Sequence, residues 1–207
     1  MTLPIARETF HPADLQTFVS AGLSVSAGIG GRDHVVYQVM PSEPSIGAVT
    51  LRPATMRDVM GIVRLVNGFA VEGVMLFRTP ESVRLALPDF VVAVDGNDVV
   101  VACGALKEYS PSLAEVASVA VDRRAHGRGL GTRIIQAVER LARKRGVEEL
   151  FALTLTPRFF EGAGYGVVNR SLYPEKIRRD CLRCPRRIRC DETCVSRMLS
   201  GGMSAAA

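Results

Sequence analysis

The residues with the clearest chemistry form one short run, Val119-Ala120-Val121-Asp122-Arg123-Arg124-Ala125-His126-Gly127-Arg128-Gly129-Leu130-Gly131-Thr132. It reads as a strand, a basic glycine-rich turn and the start of an amphipathic helix. Gly127, Gly129 and Gly131 carry no side chain, so their backbone N–H groups can approach a ligand closely. A helix N-terminus has unpaired amide donors and the positive end of the helix dipole, and both favour an anion. Arg124 and Arg128 add charge. This is a loop suited to a pyrophosphate. It is not a P-loop, because no Gly-Lys-Ser/Thr follows. Nor does it match the dinucleotide fingerprint, since Thr132 stands where the third glycine belongs. His126, beside arginines, reads as solvent-facing or as a phosphate neighbour.

A second group is the cysteines Cys181, Cys184, Cys190 and Cys194, spaced C-x2-C-x5-C-x3-C. The x2 pair has metal-chelate spacing, and the second half departs from it. A structural zinc site is one reading; reduced thiols, an iron–sulfur cluster and a redox disulfide stay open. Neighbouring arginines would lower the thiol pKa values. Cys103, inside an apolar run, is expected in the core.

These groups need elements to hold them. Residues 48–173 are strongly periodic. Val59, Ile62, Val63 and Val66 share one helical face, as do Leu130, Ile134, Val138 and Leu141. Thr79-Pro80 starts a second helix. Phe90–Val94 and Val99–Leu106 are strands joined by Asp95-Gly96-Asn97-Asp98, a hairpin signal. Val49–Arg52, Leu113–Val121, Leu150–Leu155 and Gly166–Ser171 are further strands, and Pro157–Gly162 is a short helix. The order β-α-α-β-β-β-α-β-α-β predicts an α/β domain with a mixed, mostly antiparallel sheet flanked by helices. Residues 1–47 are expected to be a loosely ordered extension, with a short helix from His11 to Val19 and a linker at Pro41–Pro44. Residues 174–207 are expected to be a separate, basic, Cys-rich tail that ends in a frayed small-residue stretch.

Composition narrows the classes further. The chain has 207 residues and five cysteines, with a formal charge of +5. Residues 176–197 hold eight basic side chains against three acids, which accounts for the whole surplus. A polyanion is therefore a candidate partner. The tail offers no aromatic residue beyond Tyr173 to stack a base, which counts against nucleic acid. There is no run of 18 apolar residues and no secretory signal, so a cytoplasmic protein without a membrane span is expected. The oligomeric state stays open, a homodimer included.

Arg124-Ala125-His126-Gly127-Arg128-Gly129 resembles the R-x-x-G-x-G loop of the GNAT acetyltransferases, and the element order over 48–173 resembles their fold. The resemblance implies acetyl-coenzyme A as donor. Its pantetheine arm would lie along Val119 and Val121, and its pyrophosphate on the amides from Gly127 to Thr132. Gly73-Val74-Met75-Leu76-Phe77-Arg78, Leu113-Ala114-Glu115, Leu150-Phe151-Ala152-Leu153-Thr154, Phe159-Phe160-Glu161 and Pro174-Glu175-Lys176 are similar to one branch, the short N-acetylglutamate synthases. That branch implies acetyl transfer to the α-amino group of glutamate, at the entry to arginine biosynthesis.

An amino acid's ammonium must lose a proton before it can attack a thioester; the model value for peptide termini is about 7.7–8.0. The resemblance favours Glu115 as the proton acceptor, although a structural glutamate on a sheet edge is an equal reading of the residue itself. A dicarboxylate needs cationic anchors. Arg78 is the first candidate, with Lys107 and Arg158 behind it. Thr154 would hydrogen-bond the substrate or the leaving thiol. Phe159 and Phe160 occupy the region where many family members carry a tyrosine acid, and Tyr165 beyond them is expected in packing.

Overall fold

The computed structural model describes residues 23–30, 34–41 and 47–199. The chain divides into two units at Ser45 and Ile46. The first contains an antiparallel hairpin of β1 (Leu23–Gly30) and β2 (His34–Pro41), with Leu23 opposite Pro41 and Gly30 opposite His34. Part of the extension expected to be loosely ordered is therefore paired. Its alternation of small with β-branched residues carries a strand pattern that glycine content had masked. The expected His11–Val19 helix lies outside the described residues, as does the terminal small-residue stretch.

The second unit is built on a seven-stranded mixed sheet. Its strands are β3 (Thr50–Pro53), β4 (Phe90–Val94), β5 (Val100–Glu108), β6 (Leu113–Val121), β7 (Glu149–Thr154), β8 (Gly166–Val167) and β9 (Thr193–Met198). They lie in the order β3-β4-β5-β6-β7-β9-β8. Only β6 and β7 run parallel. One face is covered by α3 (Leu130–Lys144), whose Leu130, Ile134, Ile135, Val138 and Ala142 are buried against Leu106, Val116 and Leu150. The other is covered by α1 (Val59–Val71) and α2 (Pro80–Leu85), through Val59, Ile62, Val66 and Val83 against Phe90, Val92 and Cys103. The apolar stripes read from the sequence are these two faces. Two short helices complete the unit, α4 (Pro157–Gly162) and α5 (Pro174–Arg179).

Two irregularities shape the centre of the sheet. Gly104 of β5 opposes both Ser118 and Val119, a bulge at which Ser118 adopts φ 53°. Such left-handed non-glycine positions cost about 1–3 kcal/mol and persist where surroundings enforce them. In addition, β6 pairs with β7 only from Leu113 to Glu115, opposite Glu149 to Phe151. From Val116 onward the two strands are no longer paired.

The residues after 173 are not a separate tail. β9 sits between β7 and β8, pairing Leu153 with Cys194 and Val167 with Val195. The expected last strand Gly166–Ser171 shortens to Gly166–Val167, because the place beside β7 is taken by β9. Val195 and Cys194 are buried. Arg-and-Cys-rich composition hid a strand whose adjacent apolar residues Cys194 and Val195 are buried in different cores on its two faces.

A chain ending at Tyr173 would expose β7 along one edge and lose the partner of β8. We expect it to lack a cooperative thermal transition by circular dichroism. A melting temperature within a few degrees of the full chain would return this segment to the status of an appendage.

Candidate active site

The glycine loop is held from below. A 3-10 turn spans Arg123–Ala125, with Ala125 fully buried beneath it. Asp122 accepts from the Arg124 backbone N–H at 3.0 Å and from its Nε and Nη2 at 3.0 and 2.7 Å. The Arg124 bond, ahead of the opposing effect of burial, holds the Asp122 carboxyl below the usual range. Arg124, expected to meet phosphate, thus anchors the turn through its own loop; Arg128 is exposed. Gly127 and Gly129 have φ 73° and 70°, and a Cβ on either would meet nothing within 4 Å. These two glycines are required by conformation, at about 1–2 kcal/mol for an L-residue, and they border open space. The first-turn amides of Leu130, Gly131 and Thr132 have no intrahelical acceptor. Gly131 also has a packing role: a Cβ there would lie 2.8 Å from the Phe159 ring. It is small so that α3 can pack on α4.

The gap between β6 and β7 opens beside this loop. The Asp122 N–H donates to the Val101 carbonyl at 2.8 Å. In an antiparallel ladder alternate residues bond across it, so the backbone groups of Val119 and Val121 face away from β5, into the gap. His126 places Nε2 2.9 Å from the Val121 carbonyl oxygen, a contact that requires the Nε2-protonated tautomer. Thr154 ends β7 across the gap. Its Oγ1 accepts from the Thr156 N–H at 3.0 Å and lies 3.1 Å from the Thr156 hydroxyl.

On the α1 side of the bulge lies a cleft of about 290 Å³, with Arg78, Lys107, Arg145, Arg179, Asp89 and Glu108 on its walls. Arg78 is fixed by its backbone. Its N–H donates to Asn67 Oδ1 at 2.8 Å, and its carbonyl accepts from Asn67 Nδ2 at 2.9 Å. Its guanidinium reaches Ser118 Oγ at 3.1 Å. Arg145 is matched by Asp89 and Glu108 at 2.7 and 2.8 Å. Arg179 lies over the Tyr109 ring, 4.9 Å from its centroid, and donates to the Glu108 carbonyl at 3.3 Å. Among the described residues neither Arg78 nor Arg179 has an ion pair, so the cleft keeps two uncompensated guanidinium groups. Arg158 lies exposed on α4, away from the cleft.

Glu115 is 5% exposed and does not line the cleft, although Ala117 two residues on and Lys107 across the ladder both do. It belongs to a charge cluster just beneath. Lys176 Nζ donates to both Glu115 oxygens at 2.8 Å, and the Tyr109 hydroxyl donates to Oε2 at 2.8 Å. Asp180 accepts from Lys107 at 2.6 and 2.7 Å and from Lys176 at 3.1 Å, and it shares the single Tyr109 hydroxyl proton with Glu115. Burial opposes the Asp180 charge, but Lys107, Tyr109 and Lys176 outweigh it and bring its pKa down to about 2. Burial likewise works against the Lys176 ammonium, and the Glu115 and Asp180 carboxylates leave it above the lysine value. The Tyr109 phenol is pushed up by burial, then by the two carboxylates. Lys176, Arg179 and Asp180 escaped sequence reasoning as site residues. The sequence reads as a tail there, and nothing local says which surface the six-residue α5, with Asp180 just after it, docks on.

The cysteines do not assemble as a metal site. Among the described residues no three His, Cys, Asp or Glu side chains are placed to share an ion. β9 takes Cys194 into a small core with Phe151 and Tyr173, where its thiol is buried. Nor do the arginines make thiolates of Cys181 and Cys194. Burial raises Cys181 and pushes Cys194 up to about 11. Cys103 is in the core as expected, and burial pushes it to about 12. The basic excess is also partly matched: Lys176, Arg178, Arg186 and Arg197 all sit in ion pairs. Tyr165 is buried against Phe160, not at the cleft.

Comparison with known proteins gives this arrangement a family. The profile described as "Acetyltransferase (GNAT) family" matches residues 73–165. An uncharacterized N-acetyltransferase of Chlorobaculum tepidum is 37% identical over 149 residues, 72% of this chain and 96% of that protein. An amino-acid acetyltransferase of Mannheimia succiniciproducens is 30% identical over 62% of this chain, but the match spans only 29% of that longer protein. Among solved structures, N-acetylglutamate synthase from Neisseria gonorrhoeae, complexed with coenzyme A and N-acetyl-glutamate, superposes with a TM-score of 0.66 at 26% identity. It covers 74% of this chain and 35% of that one. A Mycobacterium tuberculosis protein in complex with CoA gives 0.63 at 25% identity, covering 72% and 99%. With its parted parallel strands, its glycine loop and a near full-length relative, the chain belongs to the GNAT acetyltransferase family.

Proposed function

We propose that this protein transfers an acetyl group from acetyl-CoA to the α-amino group of L-glutamate, forming N-acetylglutamate in the cytoplasm for arginine biosynthesis. The observation that carries the acceptor assignment is the pair of guanidinium groups, Arg78 and Arg179, left without carboxylate partners in one cleft. Two uncompensated cations suit a substrate with two carboxylates. The synthase structure bound to N-acetyl-glutamate and the amino-acid acetyltransferase relatives support the same choice.

The donor fits the other half of the site. Val119 and Val121 offer backbone groups to an amide-bearing arm, and the open space above Gly127 and Gly129 leaves the helix amides accessible to a pyrophosphate. In the reaction the acceptor ammonium first gives one proton to Glu115 through a water, since Glu115 lies behind the cleft wall. The amine then bonds to the thioester carbonyl carbon as the C–S bond breaks. The second nitrogen proton balances the thiolate, so one proton is released per turnover. Thr154 donates a hydrogen bond toward the departing sulfur. No tyrosine acid stands at Phe159–Phe160, and a thiolate leaves without one.

Thiol release should be measured with each of the twenty amino acids. Glutamate is expected to give the highest kcat/KM. Equal rates with a neutral amine would move the assignment to another acceptor. Arg78→Ala removes a charged hydrogen-bonding group worth about 1.5–3 kcal/mol, so KM for glutamate should rise about 10–100-fold with a small change in kcat. Gly129→Val forces a β-branched residue into φ 70°, and calorimetry should show acetyl-CoA binding weakened about tenfold or more. Unchanged binding would separate the loop from the donor.

A further inference from the structure

We propose that Lys176, on the helix that follows the family domain, is a positioning residue that holds Glu115 charged and aimed at the acceptor cleft. The inference rests on acetyl transfer with Glu115 as proton acceptor and adds a residue to it.

The geometry begins with the cost of a buried carboxylate. Glu115 is almost fully enclosed, and a lone charge there would be strongly disfavoured. The groups that face it come from three elements. Lys107 and Tyr109 arrive from β5 and its end, Lys176 and Asp180 from α5, and the Cys194 thiol from β9. Lys107 is committed to Asp180, and Tyr109 donates its proton within the same cluster. Among the described residues Lys176 is the one cation bonded directly to Glu115, through both oxygens at 2.8 Å.

That grip has a direction. Oε2 is covered by Lys176 and by the Tyr109 hydroxyl, whose single proton it shares with Asp180. Oε1 accepts from Lys176 alone, which leaves one site for a water from the cleft. The side chain of Lys176 is only 14% exposed, so it is poorly placed to bind substrate itself. Its helix is secured by Tyr173, whose ring stacks on Phe151 at 4.2 Å and whose hydroxyl donates to Glu149 at 2.7 Å. The segment that sequence composition set apart as an appendage thus reaches back to the proposed base.

The test compares Lys176→Met, Lys176→Arg, Glu115→Gln and the Glu115→Gln/Lys176→Met pair. Without its cation the carboxylate is harder to ionise. The acidic limb of kcat/KM should therefore move up by about 1 pH unit or more in Lys176→Met, with KM for glutamate and the Kd of CoA within about twofold. Lys176→Arg should restore the limb. In the Glu115→Gln background, where Asp180 keeps Lys107 as its cation, Lys176→Met should change kcat less than about twofold. A limb that stays in place while melting temperature falls, or multiplicative losses in the double variant, would overturn the role. Wild-type protein that releases no thiol with any amino acid would overturn acetyl transfer and this inference together. Activity with an unmoved limb would overturn Lys176 alone.

Discussion

The structure depends on the point where β6 leaves β7. Three residue pairs, ending at Glu115 and Phe151, hold the two halves of the sheet together. Beyond them the bulge at Ser118 redirects β6, and the freed backbone of Val119 and Val121 borders a gap that runs toward the glycine loop. A sheet that stayed paired through Val121 would have satisfied those groups internally and left nothing for a ligand. The same bulge brings Ser118 under Arg78, so a single irregularity shapes both the gap and the cleft. The left-handed strain at Ser118 is the cost of that junction, and the flanking ladder on β5 enforces it.

Closing the far side of the junction falls to a segment outside the usual pattern of the sheet. β9 stitches β7 to β8, and α5 covers Glu115 with Lys176 and Asp180. Within this cluster the charges of Lys107 and Lys176 equal those of Glu115 and Asp180, so the buried network is neutral. Each member also has hydrogen-bonded partners. Buried ion pairs of this kind contribute little net stability, because desolvation offsets their attraction. Their contribution is to fix which way each carboxylate points. Arg145 with Asp89 and Glu108 is a group of the same sort nearer the surface, where the gain is smaller still.

Much of the framework was legible because it rests on local pattern. Leu113–Val121 and Pro157–Gly162 have the bounds the sequence predicts, and the stripes of α1 and α3 face the cores they should. The glycine loop was legible for the same reason: positive φ at Gly127 and Gly129 is a property of the residues themselves. What escaped depends on long-range placement. Gly131 looks like its neighbours in sequence, and only the ring of Phe159 distinguishes it. The four tail cysteines suggest a chelate, and only the capture of Cys194 by β9 disperses them. Arg179 was one basic residue among eight, and Lys176 carried a family resemblance but no role until α5 docks.

The division of charge between the cleft and the cluster beneath it also bears on the chemistry. The cluster is balanced, so it exerts little net field on a ligand above it. The cleft is not balanced: Arg78 and Arg179 have no ion pair among the described residues, Lys107 is met by Asp180, and Asp89 with Glu108 outweighs Arg145 by one, which leaves a net charge of +1. An acidic acceptor therefore meets attraction from the walls without repulsion from Glu115, whose charge Lys176 has already met. A free carboxylate at the same position would oppose the binding of a dicarboxylate while being available to its amine. Pairing Glu115 with a lysine from below resolves that conflict and leaves one oxygen able to take a proton through water.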